Sequence, residues 1–195
     1  MQHLPGQDGE TYKVPLIGDA NVGKTSIVGR FTSERFTGNT TPTVGVSTAQ
    51  VTIKNKDRDV KLTIWDTAGQ EKFRSLVPLY TRHASLLILV FDITNEESFN
   101  GCEDWVTKVR GDMGIKCPIF LCANKIDLNA CVTREQIDEW GREHDCQVFY
   151  TSAQTGTGID ELFNAVGAKL GNAVQKSQFG PSPNLTKANT RKGCC

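Results

Sequence analysis

The residues Gly18, Asp19, Ala20, Asn21, Val22, Gly23, Lys24 and Thr25 spell GxxxxGKT, between a strand-like YKVPLI and a helix-like SIVGRF. That spacing is suited to holding a phosphate chain. The glycines let the backbone wrap closely around phosphate oxygens, its N–H groups point inward, and the dipole of the following helix favours an anion. Lys24 adds a point charge, and the Thr25 hydroxyl is the kind of oxygen that meets Mg²⁺ beside a nucleotide phosphate. Pro15 removes an N–H from the strand expected before the loop, which predicts a bulge there.

A phosphate cradle alone leaves kinases, ATPases and GTPases open, so residues that read the base must decide. After the apolar run PIFLCA come Asn124, Lys125, Ile126 and Asp127, a string that resembles the NKxD motif of GTPases. A carboxylate at Asp127 can accept two hydrogen bonds from the N1–H and exocyclic amine of guanine. Adenine offers no such pair, so a buried Asp127 would be left unsatisfied by ATP. Asn124 is expected to tie this loop to the phosphate loop and the base, with the Lys125 stem along a ring face. Thr151, Ser152 and Ala153 resemble the second base-contacting loop of the same proteins, where the Ala153 N–H would meet the guanine oxygen.

Between these landmarks, Trp65 to Glu71 reads WDTAGQE and resembles the Ras superfamily. The ordered set of four motifs covers residues 12 to 153. The resemblance implies an α/β P-loop G domain that binds GTP and GDP with Mg²⁺ and hydrolyses GTP to GDP and phosphate. It gives Asp66 a hold on magnesium through water, the Gly69 N–H a contact to the γ-phosphate, and Gln70 the task of orienting the attacking water. Thr43 in PTVG matches the threonine that meets both Mg²⁺ and γ-phosphate, and Phe36 the aromatic that stacks on the base edge. Ser26 joins the nucleotide-binding set by position, and Lys24, Thr43, Gly69 and Gln70 form the catalytic set. Loss of the γ-phosphate would release two loops, which partners can distinguish.

Within the superfamily, KLTIW at 61–65, KFRSL at 72–76, FDIT at 91–94 and the terminal Cys194 and Cys195 resemble Rab proteins, and TNEESF at 94–99 is closest to endosomal members. There are departures. Ser47 and Thr48 replace the DF of IGVDF, removing the aromatic that joins Trp65 and Tyr80 on the family's effector face. Ala20 occupies a position that is glycine in Ras and often serine in Rabs, and Thr40 stands where an aromatic often covers the nucleotide. These leave an alternative reading, a nucleotide-holding scaffold with little hydrolysis. The Cys194–Cys195 end is not a CaaX box and resembles the doubly geranylgeranylated terminus of Rabs, two lipids being needed because one anchors only marginally. The resemblance further implies a monomer working with an exchange factor, an activating protein that supplies an arginine, effectors, a GDP-dissociation inhibitor and a prenylation escort protein. It implies the cytoplasmic face of intracellular membranes, with a cytosolic pool.

The elements that must position these residues alternate along the chain. Strands are expected at 12–17, 47–54, 60–65, 85–91, 117–123 and 147–150, and helices near 24–32, 96–110, 134–143 and 159–170, with a further short one after Glu71. Asn55 to Asp59 is too short for a crossover helix, so the flanking strands should pair as an antiparallel hairpin at the sheet edge. The expected architecture is three-layered, around a six-stranded, mostly parallel sheet with one antiparallel edge strand. The G domain is placed at residues 10–170. Residues 171–195 carry four basic and no acidic side chains and few large apolar ones, which suits a flexible tail ending at the lipidation site. Over the full 195 residues, 22 basic side chains balance 22 acidic ones, which gives no electrostatic footprint for nucleic acid. Cys102, Cys117, Cys122, Cys131 and Cys146 lack metal-ligand spacing and are expected as free thiols. The first residues lack the apolar core of a signal peptide.

Overall fold

A computed structural model describes residues 11–33, 45–54, 59–67 and 76–178. Six strands form one sheet in the order β2-β3-β1-β4-β5-β6, comprising β1 (Thr11–Ile17), β2 (Val46–Lys54), β3 (Asp59–Thr67), β4 (Leu87–Asp92), β5 (Ile119–Asn124) and β6 (Gln147–Thr151). Among the described residues only β2 and β3 pair antiparallel, from Val46↔Thr67 to Lys54↔Asp59, and β2 is an edge strand. The remaining pairings are parallel. The C-terminal ends of β1, β3, β4, β5 and β6 therefore share one edge, and β1 sits where the chain changes direction across the sheet. Crevices at such points hold ligands in open α/β sheets.

The helices are α1 (Lys24–Ser33), α2 (Val77–Thr81), α3 (Glu96–Val106), α4 (Arg134–Glu143) and α5 (Ile159–Gln178). Every residue of β4 and β5 is buried, as parallel strands covered on both faces must be. Alternation splits them cleanly. Leu16, Leu62, Ile64, Ile88, Val90 and Phe120 pack with Ile27 of α1 and with Leu162, Phe163 and Val166 of α5. Ile17, Leu87, Leu89, Phe91 and Leu121 pack on the other face with Val77, Cys102, Trp105, Val106 and Ile137 of α2, α3 and α4. The result is the three-layer arrangement expected from the sequence, with the Phe31 and Phe163 rings stacked 3.9 Å apart between α1 and α5.

Local chemistry sets the helix starts. The Asn95 side chain accepts from Glu97 N and Ser98 N, and Glu96 and Glu97 fill the first turn of α3. Thr133 and Gln136 close a capping box on α4.

Four expectations are corrected. Pro15 makes no bulge: the β1–β3 register runs unbroken through Pro15↔Trp65. Backbone groups two residues apart in a strand face the same neighbour, and Lys13 O accepts from Ser85 N on the β4 side. The Pro15 nitrogen therefore faces β4, whose ladder begins only at Leu16↔Ile88. The helix expected at 96–110 changes at Thr107 into a π-helical segment, Thr107–Asp112, where Met113 N reaches back to Lys108 O. It carries Gly111 in its last turn, and Gly114 follows at φ 62°. β4 begins two residues later than expected and ends on Asp92. Helix α5 runs to Gln178, past the expected end at Leu170. No proline precedes Pro181 in that stretch, so nothing covalent stops the helix at Leu170.

The five cysteines within the described residues are free, and burial pushes the Cys122 thiol up to about 12. No described helix is long and apolar enough to cross a membrane.

Candidate functional site

The phosphate loop turns from β1 into α1 on a backbone few residues can follow. Gly18 sits at φ 134°, Asn21 at 62° and Gly23 at 99°. A Cβ on Gly18 would stand 2.1 Å from Val90 O, and one on Gly23 2.4 Å from Asn124 Nδ2, so both positions require glycine for space as well as conformation. Ala20 and Asn21 are exposed at the tip, Val22 is buried, and Thr25 and Ser26 lie half-buried in the first turn of α1.

Lys24 is 5% exposed, and its Nζ donates to the carbonyls of Gly18 at 2.8 Å and Asp19 at 2.6 Å. Burial pulls its amine down to about 8, against the opposing fields of Asp66 and Asp19. The end of β3 delivers Asp66 to the start of α1, where Thr25 Oγ1 donates to Asp66 Oδ2 at 2.7 Å. Asp66 is 3% exposed, and burial pushes its carboxyl up, opposed by the Thr25 bond and by Lys24. Its Oδ1 is buried without a hydrogen-bond partner among the described residues. An orphaned carboxylate oxygen beside a hydroxyl fits an oxygen-seeking cation that takes only one or two protein ligands, as Mg²⁺ does beside phosphates. Among the described residues no cluster of His, Cys, Asp or Glu could cage a metal by itself.

The base-reading strings meet at the ends of β5 and β6. Asn124 is 1% exposed; its Nδ2 donates to Val22 O at 2.8 Å and its Oδ1 accepts from Thr151 Oγ1 at 3.1 Å. One side chain thus joins the phosphate loop to both base-reading loops. Ile126 N donates to Thr151 O at 3.1 Å, and Ser152 Oγ donates to Asp127 Oδ1 at 2.5 Å. Ser152 and Ala153 are buried. Asp127 is exposed rather than buried as expected, so its carboxylate carries little desolvation cost of its own. Lys125, at φ 69°, pairs through Nζ with Asp92 Oδ2 at 2.5 Å.

The Ras family profile matches residues 13–172. Ras-related protein Rab-13 of Mesocricetus auratus is 35% identical over 192 residues, covering 93% of this chain and 94% of that protein. Rab-13 of Bos taurus is 34% identical, with the same two coverages, and Rab-13 of Rattus norvegicus is 34% identical, covering 93% of this chain and 92% of its own. The chain is a Rab-family small GTPase. This Rab therefore binds guanine nucleotide and hydrolyses GTP, and the reading as a scaffold with little hydrolysis gives way to an enzyme.

Of the residues expected at its site, Gly18 to Ser26, Asp66, Asn124, Lys125, Asp127, Ser152 and Ala153 come together at one edge of the sheet. Phe36, Thr43, Gly69, Gln70, Cys194 and Cys195 lie outside the described residues. Tyr80, expected on the effector face with Trp65, is 1% exposed, turned from α2 into the core, and offers no surface. Trp65 stays partly exposed, with Lys13 Nζ 4.1 Å from its ring centroid.

Sequence reasoning missed Asp92 beside Lys125, and it named Thr151 in the TSA string without its bond to Asn124. The signal for Asp92 was a single carboxylate closing the apolar run LILVF at the ligand-binding edge. A cleft of about 470 Å³, lined by Arg110, Cys117, Asp145 and Lys169 among others, contains none of these site residues; it lies at the opposite edge, before β5 and β6.

Proposed function

We propose that this Rab is a Mg²⁺-dependent, membrane-anchored switch in vesicle traffic, with Lys24, Thr25, Thr43, Asp66, Gly69 and Gln70 carrying the phosphate chemistry and Asn124, Lys125, Asp127, Ser152 and Ala153 reading guanine. The observation that carries this reading is the buried, orphaned Asp66 Oδ1 beside Thr25 Oγ1 and Lys24 Nζ, at the edge where Asn124 joins the base loops.

Lys24 already occupies the floor of the loop, held by two main-chain carbonyls. Its buried amine is poised to exchange those carbonyls for phosphate oxygens, which would also restore the stability of its charge. Thr25 and Asp66 would hold Mg²⁺, Asp66 through water, and the ion supplies neutralisation of charge on the β- and γ-phosphates. Asp127 would accept the two guanine donors, steadied on its other side by Ser152, while Asp92 holds Lys125 across the base. Phe36 would stack on the base edge. Thr43, Gly69 and Gln70 would complete the γ-phosphate site, Gln70 orienting the water that attacks.

The G domain is assigned to residues 10–170, with its last helix α5 carried on to Gln178 into the 171–195 segment, and Cys194 and Cys195 are the lipidation sites. The Rab-like motifs support an exchange factor, an activating protein, effectors, a GDP-dissociation inhibitor and an escort protein as partners of a monomer. They also support the cytoplasmic face of intracellular membranes, endosomal by the TNEESF string, with a cytosolic pool.

The test is release of fluorescent GDP with Mg²⁺ present and after chelation. Chelation should speed release from the wild type at least tenfold and change Asp66→Asn much less. Equal acceleration of both proteins would remove Asp66 from the metal site, and preference for an adenine nucleotide would overturn the base assignment.

A further inference from the structure

Helix α3 reaches the phosphate loop from behind. Trp105, 6% exposed, donates through Nε1 to Asp19 Oδ1 at 3.0 Å across 86 residues of sequence. One turn earlier on the same helix face, Gly101 leaves a notch: a Cβ there would stand 2.9 Å from Asp19 Oδ2. The two residues together fit one carboxylate, the tryptophan by donating to one oxygen and the glycine by making room for the other. The main-chain carbonyl of the same Asp19 accepts from Lys24 Nζ at 2.6 Å. Asp19 thus touches α3 with its side chain and the phosphate-binding lysine with its backbone. Its field is felt in the helix as well, since the Cys102 thiol is pushed up by burial first and by Asp19 second.

We infer that Trp105 and Gly101 of α3 are positioning residues for the nucleotide: by seating the Asp19 carboxylate they fix the Gly18–Asp19 backbone in the shape that presents Lys24 and the loop amides to phosphate. The inference deepens the assignment of residues 18–26 as the phosphate cradle and rests on it. Gly18 is already at a φ only glycine tolerates and lies against Val90 O, so the loop's own chain gives little restoring force against a change of path. Asp19, the next residue, is the first with a side chain that another element can grip. The grip comes from α3, whose other contacts lie in the core beneath β4 and β5, so the loop is referenced to the rigid sheet face instead of to solvent.

Trp105→Phe keeps an aromatic in the core and removes the donor together with part of the ring's volume. A hydrogen bond to a carboxylate in a partly buried setting is of the stronger kind. Fluorescent GDP should therefore leave Trp105→Phe about tenfold faster than wild type in excess Mg²⁺. Gly101→Ala should accelerate release as well, because its methyl displaces the carboxylate.

Both effects must run through Asp19. In an Asp19→Ala background, which itself releases GDP faster, Trp105→Phe should add less than twofold. Gly101→Ala should become nearly silent there, the group it clashes with being gone. Urea unfolding midpoints in saturating GDP, measured alongside, separate a general loss of packing from a change in the loop. The proposal is overturned if Trp105→Phe releases GDP at the wild-type rate, or if its acceleration persists undiminished in Asp19→Ala, which would mean lost packing. Should Trp105→Phe not fold, Gly101→Ala with and without Asp19→Ala decides alone, and an equal effect in both backgrounds overturns it. If the wild type holds no guanine nucleotide, it is the cradle assignment that fails.

Discussion

Asn124→Ala tests how much of the site is held by one side chain. Asn124 is 1% exposed and makes two hydrogen bonds, Nδ2 to Val22 O at 2.8 Å and Oδ1 from Thr151 Oγ1 at 3.1 Å. Truncation leaves the Val22 carbonyl without that donor, a penalty of about 1 to 3 kcal/mol for a buried acceptor. Thr151 loses less, because its hydroxyl also lies 3.1 Å from Cys122 Sγ and can turn to it. The sum is about 2 to 3 kcal/mol, and for a chain of this size each kcal/mol lowers Tm by about 2 to 4 °C. A fall of about 4 to 12 °C in saturating GDP is expected by calorimetry. GDP release should also accelerate well beyond tenfold, because the phosphate loop and both base loops come apart together. A Tm within 1 °C of wild type, or a lower Tm with unchanged release, would refute the reasoning that Asn124 is the joint between the loops.

Two further outcomes follow from the same geometry. Gly18→Ala forces a Cβ to within 2.1 Å of Val90 O at φ 134°, a clash with backbone that neither partner can relieve; stability should fall by about 4 kcal/mol or more, read as the urea midpoint or as loss of soluble protein. Lys24, with a folded pKa near 8 against an ordinary 10.5, loses its proton earlier in the fold than in the unfolded chain. Between pH 8 and 10.5 the unfolded chain therefore holds more protons, and Lys24 contributes stability to the nucleotide-free protein that grows as pH rises, while GDP binding, which needs the cation, weakens over the same range. Lys24→Met should remove both trends. The difference between wild type and variant, by urea titration and by GDP affinity at pH 7 to 9, isolates them from the cysteines, whose raised pKa values act in the opposite sense.

Much of the fold was legible because its signals are local. The apolar stretches expected as strands at 85–91 and 117–123 are β4 and β5, and both strands are buried throughout. The charged stretch Asn55 to Asp59 was too short for a helix, and β2 and β3 indeed pair antiparallel. The helix limits failed where no local residue sets them: α5 continues past Leu170 because nothing in its sequence stops it, and α3 loosens into a π-helical segment before Gly114.

The family and the α/β fold were legible in the residues alone, since GxxxxGKT, DxxG, NKxD and TSA stand in order along the chain. The sequence could not say how the residues of those motifs are held. Asp92 with Lys125, Thr151 with Asn124 and Trp105 with Asp19 join residues 33, 27 and 86 positions apart. Such partners carry no periodicity and no fixed spacing, so only the parallel register of the sheet and the packing of α3 against it decide which side chains meet. The burial of Tyr80 and the exposure of Asp127 belong to the same class, because solvent access depends on what the rest of the chain lays over a residue.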